Sequence, residues 1–473
     1  NSQRSYRKSR RFSRNHLNMN KLISTLKNIF SIEDLRTRIL NLVLLLVVYR
    51  IGTFIVIPGV DPLILNDPDF YGTDESGGLL GLINTFSGGA FDRVSIFALG
   101  IMPYISASIV IQLLTVAVPS FQKMQKEGED GRRKINAITR YLTIAITTVQ
   151  GLAYLINLKS GNGKPLALMS ETSDALGWTT FLIVGTLILV AGTMFTMWLG
   201  ERITDRGVGN GISIIIMVGI IARLPASLFA EVVDRFNGSQ VMLLIVEIVL
   251  WLIVILAVIA LVQATRRIPV QYAKRIVGNR QMGGVRQYLP LKVNAAGVMP
   301  IIFAQALMFL PATATQIPAL ADSAFLNGLT NPYGWGYNLL FFVMIVLFTY
   351  FYTAITINPN QIAEDLKRNG GFIPGVKPGK KTANFIGAVM SRITLPGSVF
   401  LGIVAIFPVF AIMFGVNDQF AQFYGGTSLL IMVGVVLDTL QQVEQYLIMR
   451  HYDGLMKTGR IKGRSSVGGA ITG

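Results

Sequence analysis

Three ionisable side chains, Arg50, Glu247 and Asp438, lie inside long apolar stretches of this sequence. A charge at that depth in a bilayer is costly, and paired charges there mark ion or proton pathways. Nothing in the spacing brings the three together. The two histidines, His16 and His451, fall outside the apolar stretches, and there is no cysteine. Disulfides and thiolate metal sites are therefore excluded. No nucleophile–base pair or metal-ligand set appears, so neither an enzyme nor a cofactor is expected. Two glycine-rich segments imitate nucleotide loops. GVKPGKKT at 375–382 is one residue short of a phosphate loop and follows no strand. GVGNG at 207–211 follows a helical stretch rather than a strand. It reads as a flexible break before a helix, with Asn210 near the cap position. The chemistry that remains is cationic. Residues 265–294 carry seven Lys or Arg and no acid, which suits docking to an anionic partner.

The elements that must position these groups are membrane helices. Hydrophobic residues make up 52% of the 473-residue chain and charged residues 14%, with a mean hydropathy of +0.53. A crossing helix needs ~20 apolar residues. Ten such runs are expected near 39–57, 94–118, 137–157, 179–199, 211–229, 241–262, 295–312, 336–357, 397–414 and 427–449. Of the 42 Lys and Arg, 36 fall on one side: before Ile39, in 119–136, 200–210, 263–294 and 358–396, at Arg140, and after 449. The positive-inside rule then places both termini in the cytoplasm. The net charge of +17 is concentrated on that face. No cleavable signal precedes the first span. Residues 1–18 look appended, and Met19 reads as a natural start.

Four places depart from a plain helical bundle. Residues 77–91, on the outer side, form a short apolar stretch bracketed by glycine pairs, too short to span. It can lie re-entrant in a cavity or rest on the interface as a helix. Pro103, in IMPYISAS, is expected to bend the second span by removing a helix hydrogen bond. Pro300, in MPIIFAQ, echoes it in the seventh span, as an inverted repeat of two five-span halves predicts. The fourth place is the cytoplasmic set 122–134, 265–294 and 358–382, whose Gly and Pro content predicts structured projections.

With GIMPYISASIVIQLLT at 100–115, GVGNGISIII at 207–216, RRIPVQYAKR at 266–275, NAAGVMPIIFA at 294–304, FIPGVKPGKKT at 372–382 and GTSLLIMVGVVLDT at 426–439, the chain resembles the SecY family over about residues 19–457. The family is the channel subunit of the general secretory translocon. The resemblance implies an all-α fold of ten spans in two pseudo-symmetric inverted halves, 19–229 and 230–449, around an hourglass pore. The basic segment 1–18 and a cytoplasmic tail, 450–473, flank them.

The resemblance also assigns residues. Ile101, Ile105, Ile212, Ile216, Ile302 and Ile431 match the apolar ring at the pore's waist. Such a ring cannot solvate an ion, and it dewets. It would also deform around a passing peptide without specific hydrogen bonds. Taken singly, each would be an ordinary core isoleucine. Residues 77–91 match the plug, with Leu79, Leu80, Leu82, Ile83, Thr85 and Phe86 filling the outer funnel. Gln112 and Gln305 fall on the two faces of the lateral gate, between spans two and three and spans seven and eight. Arg266, Arg267, Lys274, Arg275, Lys377, Lys380 and Lys381 match the cytoplasmic docking surface. That surface would meet ribosomal RNA phosphates or the SecA motor ATPase. Lys377 stands where the family commonly has arginine, and so lacks the bidentate fork. The implied partners are SecE, SecG, SecA, the ribosome, signal sequences and nascent chains, and membrane lipids. The location is the bacterial inner membrane. The alternative class is a secondary solute transporter built on Arg50, Glu247 and Asp438.

Overall fold

The computed structural model describes residues 32–61, 84–160, 175–238, 240–272, 275–277, 280–282, 286–314, 328–329 and 334–457. Ten helices of sixteen residues or more occur among these, one at each expected span. They are α1 (Glu33–Gly52), α2 (Met102–Ala117), α4 (Glu129–Ser160), α5 (Ala175–Arg206), α6 (Gly211–Asn237), α7 (Val241–Gln263), α8 (Met299–Ala314), α9 (Trp335–Thr356), α11 (Lys380–Met413) and α13 (Gly426–Lys457). Three short helices punctuate them: α3 (Pro119–Lys126), α10 (Pro359–Arg368) and α12 (Asp418–Ala421). Among the described residues, six helices are individually long and apolar enough to cross a bilayer, and α2 with α3 makes a seventh if counted as one. The chain is a multi-pass membrane protein.

Helix ends depart from the hydropathy runs for local reasons. The second span does not begin at 94. Residues 53–57 and 94–98 leave the helices and pair instead, with Ile57 N donating to Val94 O (3.0 Å) and Ile96 N to Ile55 O (2.9 Å). Their side chains still enter a core of Ile57, Val60, Val94, Ala98, Leu99, Tyr154, Leu155, Phe181 and Leu189. Buried turn and buried helix look alike to hydropathy. Gly192 permits the contact, because a Cβ there would overlap the Ile96 carbonyl.

Pro103 does not bend a helix either. It sits in the first turn of α2, where its missing N–H costs nothing. Pro300 is likewise the second residue of α8. The real bend is later. Val118 precedes Pro119, takes φ −108° and ψ 120°, and turns α3 by 98° from α2. A residue before proline is driven out of the helical region by the ring. At the other end, α11 begins at Lys380, well before the expected 397. Thr382, Ala383, Ile386, Met390 and Thr394 give it a buried face that carries it into the basic projection.

The chain forms two compact units. One comprises residues 1–50, 198–214 and 435–473, and the other residues 51–197 and 215–434. In the first, the break at 207–211 is fastened rather than loose. Arg38 Nη1 donates to Gly207 O (3.2 Å), and Gly209 N donates to Gln442 Oε1 (3.0 Å). Asn210 Oδ1 accepts from Ile212 N and Ser213 N, which caps α6 as the sequence indicates. Asp438, in the same unit, accepts from Gln442.

The second unit holds the basic projection. Strands β1 (Thr265–Tyr272) and β4 (Arg286–Lys292) pair antiparallel, with Arg266 opposite Leu291. β5 (Gly371–Phe372) adds to the free edge of β1, and β2 (Arg275–Val277) with β3 (Arg280–Met282) makes a second small sheet. Ile268, Val270 and Leu291 of the larger sheet meet Leu366, Ile373, Ile386 and Met390 in a core of their own. Asn358 caps α10 by accepting from Asn360 N (3.1 Å) and Gln361 N (3.4 Å). The projection is thus a packed platform, as its Gly and Pro content predicts.

Candidate functional site

The sequence echo between the second and seventh spans becomes a geometric one. α2 and α8 are both sixteen residues, both open with Met-Pro, and both carry an isoleucine as fourth residue: Ile105 and Ile302. Those two meet Ile216 of α6 and Ile431 of α13 around a cavity of about 10 Å³, closed further by Phe86, Met102, Gln305 and Ala306. That is about the room of one water probe. Four helices therefore bring four of the six expected isoleucines to one apolar constriction. Ile101 is buried one turn ahead of Ile105, at the start of α2, and does not line the cavity. Ile212 belongs to the other compact unit, in the first turn of α6.

Phe86 reaches this cavity from the expected plug. Leu79, Leu80, Leu82 and Ile83 lie outside the described residues, and Thr85 and Phe86 lie within them. Residues 84–86 form a helical turn that the second glycine pair closes. Gly89 N donates to Asn84 O (2.9 Å) and Gly88 N to Thr85 O (3.2 Å), with Gly88 at φ +69°. This double bond with a left-handed residue is the Schellman closure, and glycine adopts it without a Cβ clash. The second of the two glycine pairs that bracket the stretch is thus a helix cap.

Polar contacts seat the segment. Thr85 Oγ1 donates to Gln422 Oε1 (2.7 Å), and Tyr154 Oη donates to Phe91 O (2.7 Å). Asn84 Nδ2 donates to Asp92, whose carboxylate also lies 3.6 Å from Arg223 Nη2. Burial raises the Asp92 carboxyl above its ordinary range, and the charges of Arg223 and Arg93 oppose that rise. Gly219 of α6 lets the plug close in, because a Cβ there would overlap the Phe86 carbonyl.

The two gate amides do not pair with each other. Gln112 Nε2 donates to Ser108 Oγ (3.2 Å) on its own helix, and its Oε1 accepts from Tyr352 Oη (3.2 Å) of α9. Tyr352 is the partner of Gln112 that the sequence does not reveal. A tyrosine in an apolar span is ordinarily core or interface, and only the fold places its hydroxyl opposite Gln112. Beside this bond lies a cavity of about 220 Å³ lined by Gln112, Thr115, Phe303, Phe348, Tyr352 and Thr356, among others. Phe303 stacks on Phe348 at 5.9 Å. Tyr352→Phe removes this hydrogen bond from α9 to α2, worth ~0.5–2 kcal/mol in a membrane. The expected result is easier gate opening, read as export of a reporter with a weakened signal sequence. Export unchanged across a series of graded signals would remove Tyr352 from the gate.

On the platform, Arg266 and Arg267 are exposed on β1, while Ile268 and Val270 turn inward. Lys377, Lys380 and Lys381 are exposed around the turn into α11. Thr382 Oγ1 donates to Lys377 O (3.0 Å), which fixes that turn. Lys274 lies outside the described residues, and Arg275 opens β2.

Of the candidates for a solute site, Glu247 pairs with Arg235 Nη2 at 2.6 Å, and Arg235 also holds Glu231 at 2.8 Å. Gly415 O accepts from the same guanidinium. These bonds staple α6, α7 and the loop before α12.

Solved structures share this fold. One described as a protein-conducting channel aligns with a TM-score of 0.61 at 18% identity, covering 87% of this chain and 92% of that one. Sec61 from the canine ribosome-channel complex of the endoplasmic reticulum aligns with a TM-score of 0.58 at 16% identity, covering 87% and 92%. The SecY family model matches residues 95–440. Protein translocase subunit SecY of Halalkalibacterium halodurans is 46% identical over 448 residues, 92% of this chain and 100% of that protein. The same subunit of Streptomyces coelicolor is 41% identical with the same coverage. The chain belongs to the SecY family.

Proposed function

We propose that this chain forms the pore through which unfolded secretory polypeptides cross the bacterial inner membrane, and that transmembrane segments leave it sideways between α2 and α4 on one side and α8 and α9 on the other. The observation that carries this reading is the apolar constriction. Ile105, Ile216, Ile302 and Ile431, from four different helices, meet around a space for about one water. Such a waist blocks ions at rest, and its flexible aliphatic side chains can yield around a chain of any sequence. Residues 77–91 serve as the plug, and Ile101 extends the ring. The bundle is organised as two five-helix halves, 19–229 and 230–449, with both termini cytoplasmic. The 36 Lys and Arg on one side support that orientation.

The basic platform supports a reading of the partners. Exposed Arg266, Arg267, Lys377, Lys380 and Lys381 suit ribosomal RNA phosphates during cotranslational insertion, and the same surface would receive the motor ATPase SecA. Relatives are named as translocase subunits, and one structural neighbour is a yeast Ssh1 complex bound to the 80S ribosome (TM-score 0.57). SecE and SecG complete the complex, and energy comes from the partners and the membrane potential.

The natural chain has no cysteine, so introduced ones report without background. Ile302→Cys should form a disulfide with a single cysteine in an arrested secretory chain, while a surface control such as Leu250→Cys should not. In the same vesicles, Thr85→Cys should resist an outside thiol reagent at rest and react once a chain is arrested. Disulfide formation at position 250 but not at 302 would refute passage through this constriction.

A further inference from the structure

Gln305 is the one hydrogen-bonding side chain among the residues lining the constriction. It sits on α8 one turn after Ile302, so both face the same cavity. It is only 3% exposed, and neither Oε1 nor Nε2 has a partner among the described residues. The other side chains around it are Phe86, Met102, Ile105, Ile216, Ile302, Ala306 and Ile431, none of which can donate or accept except weakly through a thioether. A buried carboxamide without partners penalises the state that buries it. Here that state is the closed channel, with the plug residue Phe86 seated beside it.

We propose that Gln305 is a main-chain binding station: its carboxamide pairs with successive peptide groups of the polypeptide in transit, and its unpaired state at rest biases the channel toward opening. This rests on the channel reading above. A carboxamide offers both donors and acceptors, the complement of a peptide N–H and C=O. An extended chain presents a new peptide group every ~3.3 Å, so the bond can break and re-form at each step. Every residue carries that group, so pairing of this kind is independent of the cargo's sequence. The ring is therefore not wholly inert toward its substrate. One residue in it holds the chain briefly at each step, and proline, which lacks the N–H, is held less.

The test uses the complete membrane complex, reconstituted in vesicles, with parent, Gln305→Met, Gln305→Leu and Gln305→Asn chains. Two quantities are read: ion conductance at rest, and the rate at which an arrested unfolded polypeptide slides back after the motor is withdrawn. Met and Leu remove the unpaired amide, so resting conductance should fall. Both should speed sliding by about two- to tenfold, the loss of one hydrogen bond per step. Asn keeps the amide on a shorter stem and should slide closer to the parent than Met does. A Met variant that leaks more than the parent, or slides at the parent's rate, overturns the inference. Lower conductance with unchanged sliding also overturns it, because the amide would then serve water alone. A parent complex that captures no polypeptide at all overturns the channel reading as well.

Discussion

Ile302→Asn should leave the resting channel open to ions. The fourth residue of α8 closes on Ile105, Ile216 and Ile431 around a space of about 10 Å³. Asparagine there loses the burial of an isoleucine side chain, ~2 kcal/mol, and sets a second carboxamide one turn from Gln305, where the pair can hold water in the waist. The lost burial alone weakens the closed state by ~2 kcal/mol, so the open or wetted fraction should rise by about thirtyfold or more. Ile431→Asn should act the same way from α13. Ile302→Val keeps the surface apolar and should change conductance little. The measurement is single-channel conductance in planar bilayers, paired with export of a protein carrying a defective signal sequence. Unchanged conductance in both asparagine variants would take the ring out of the seal.

Reversing Arg266, Arg267, Lys274 and Arg275 to Glu should abolish high-affinity ribosome binding while leaving the helices correctly oriented. Four phosphate contacts make log affinity fall with log salt at a slope of about 3–4. The parent should therefore lose about a hundredfold in affinity from 50 to 200 mM salt, and the reversed protein should show neither the affinity nor the slope. The platform itself should survive, since Arg266 and Arg267 are exposed and its core is Ile268, Val270, Leu291 and their partners from α10 and α11. Orientation depends on the 36 Lys and Arg shared among six cytoplasmic segments, of which this change removes four. Protease access from each side reads orientation, and sedimentation with ribosomes at graded salt reads docking. Inverted helices with normal ribosome binding would show that the charges set topology alone. Loss of both ribosome binding and SecA-driven export with topology intact would identify one shared docking site.

The ten helices were legible because each needs its own long apolar run, and the basic segments between them because lysine and arginine mark them residue by residue. Both signals are local. Asn210 as a cap was legible for the same reason: its oxygen reaches amides only two and three residues away. The isoleucines of the constriction could be assigned by resemblance but not by physics, since an apolar side chain facing a pore and one facing a core have the same pattern. Hydropathy also failed at residues 94–98, where a buried turn carries as much apolar surface as a helix. Proline was misjudged at 103 and 300 because its effect depends on where the helix starts, and the start is set by packing.

What this sequence determined by itself is everything within reach of a few residues: span number, the segregation of basic charge, caps, and the amphipathic platform. Tertiary structure decided the pairings between distant residues. It gave Gln112 to Tyr352, 240 positions away, rather than to Gln305, and left Gln305 at the constriction without a partner among the described residues. It also brought Thr85 to Gln422, 337 positions on, and set Phe86 against Gly219. The reason is physical. In lipid every helix satisfies its own backbone, so local sequence suffices to make it. Helix-to-helix choice instead rests on small-residue clefts and single polar bonds, whose partners exist only once the bundle has closed.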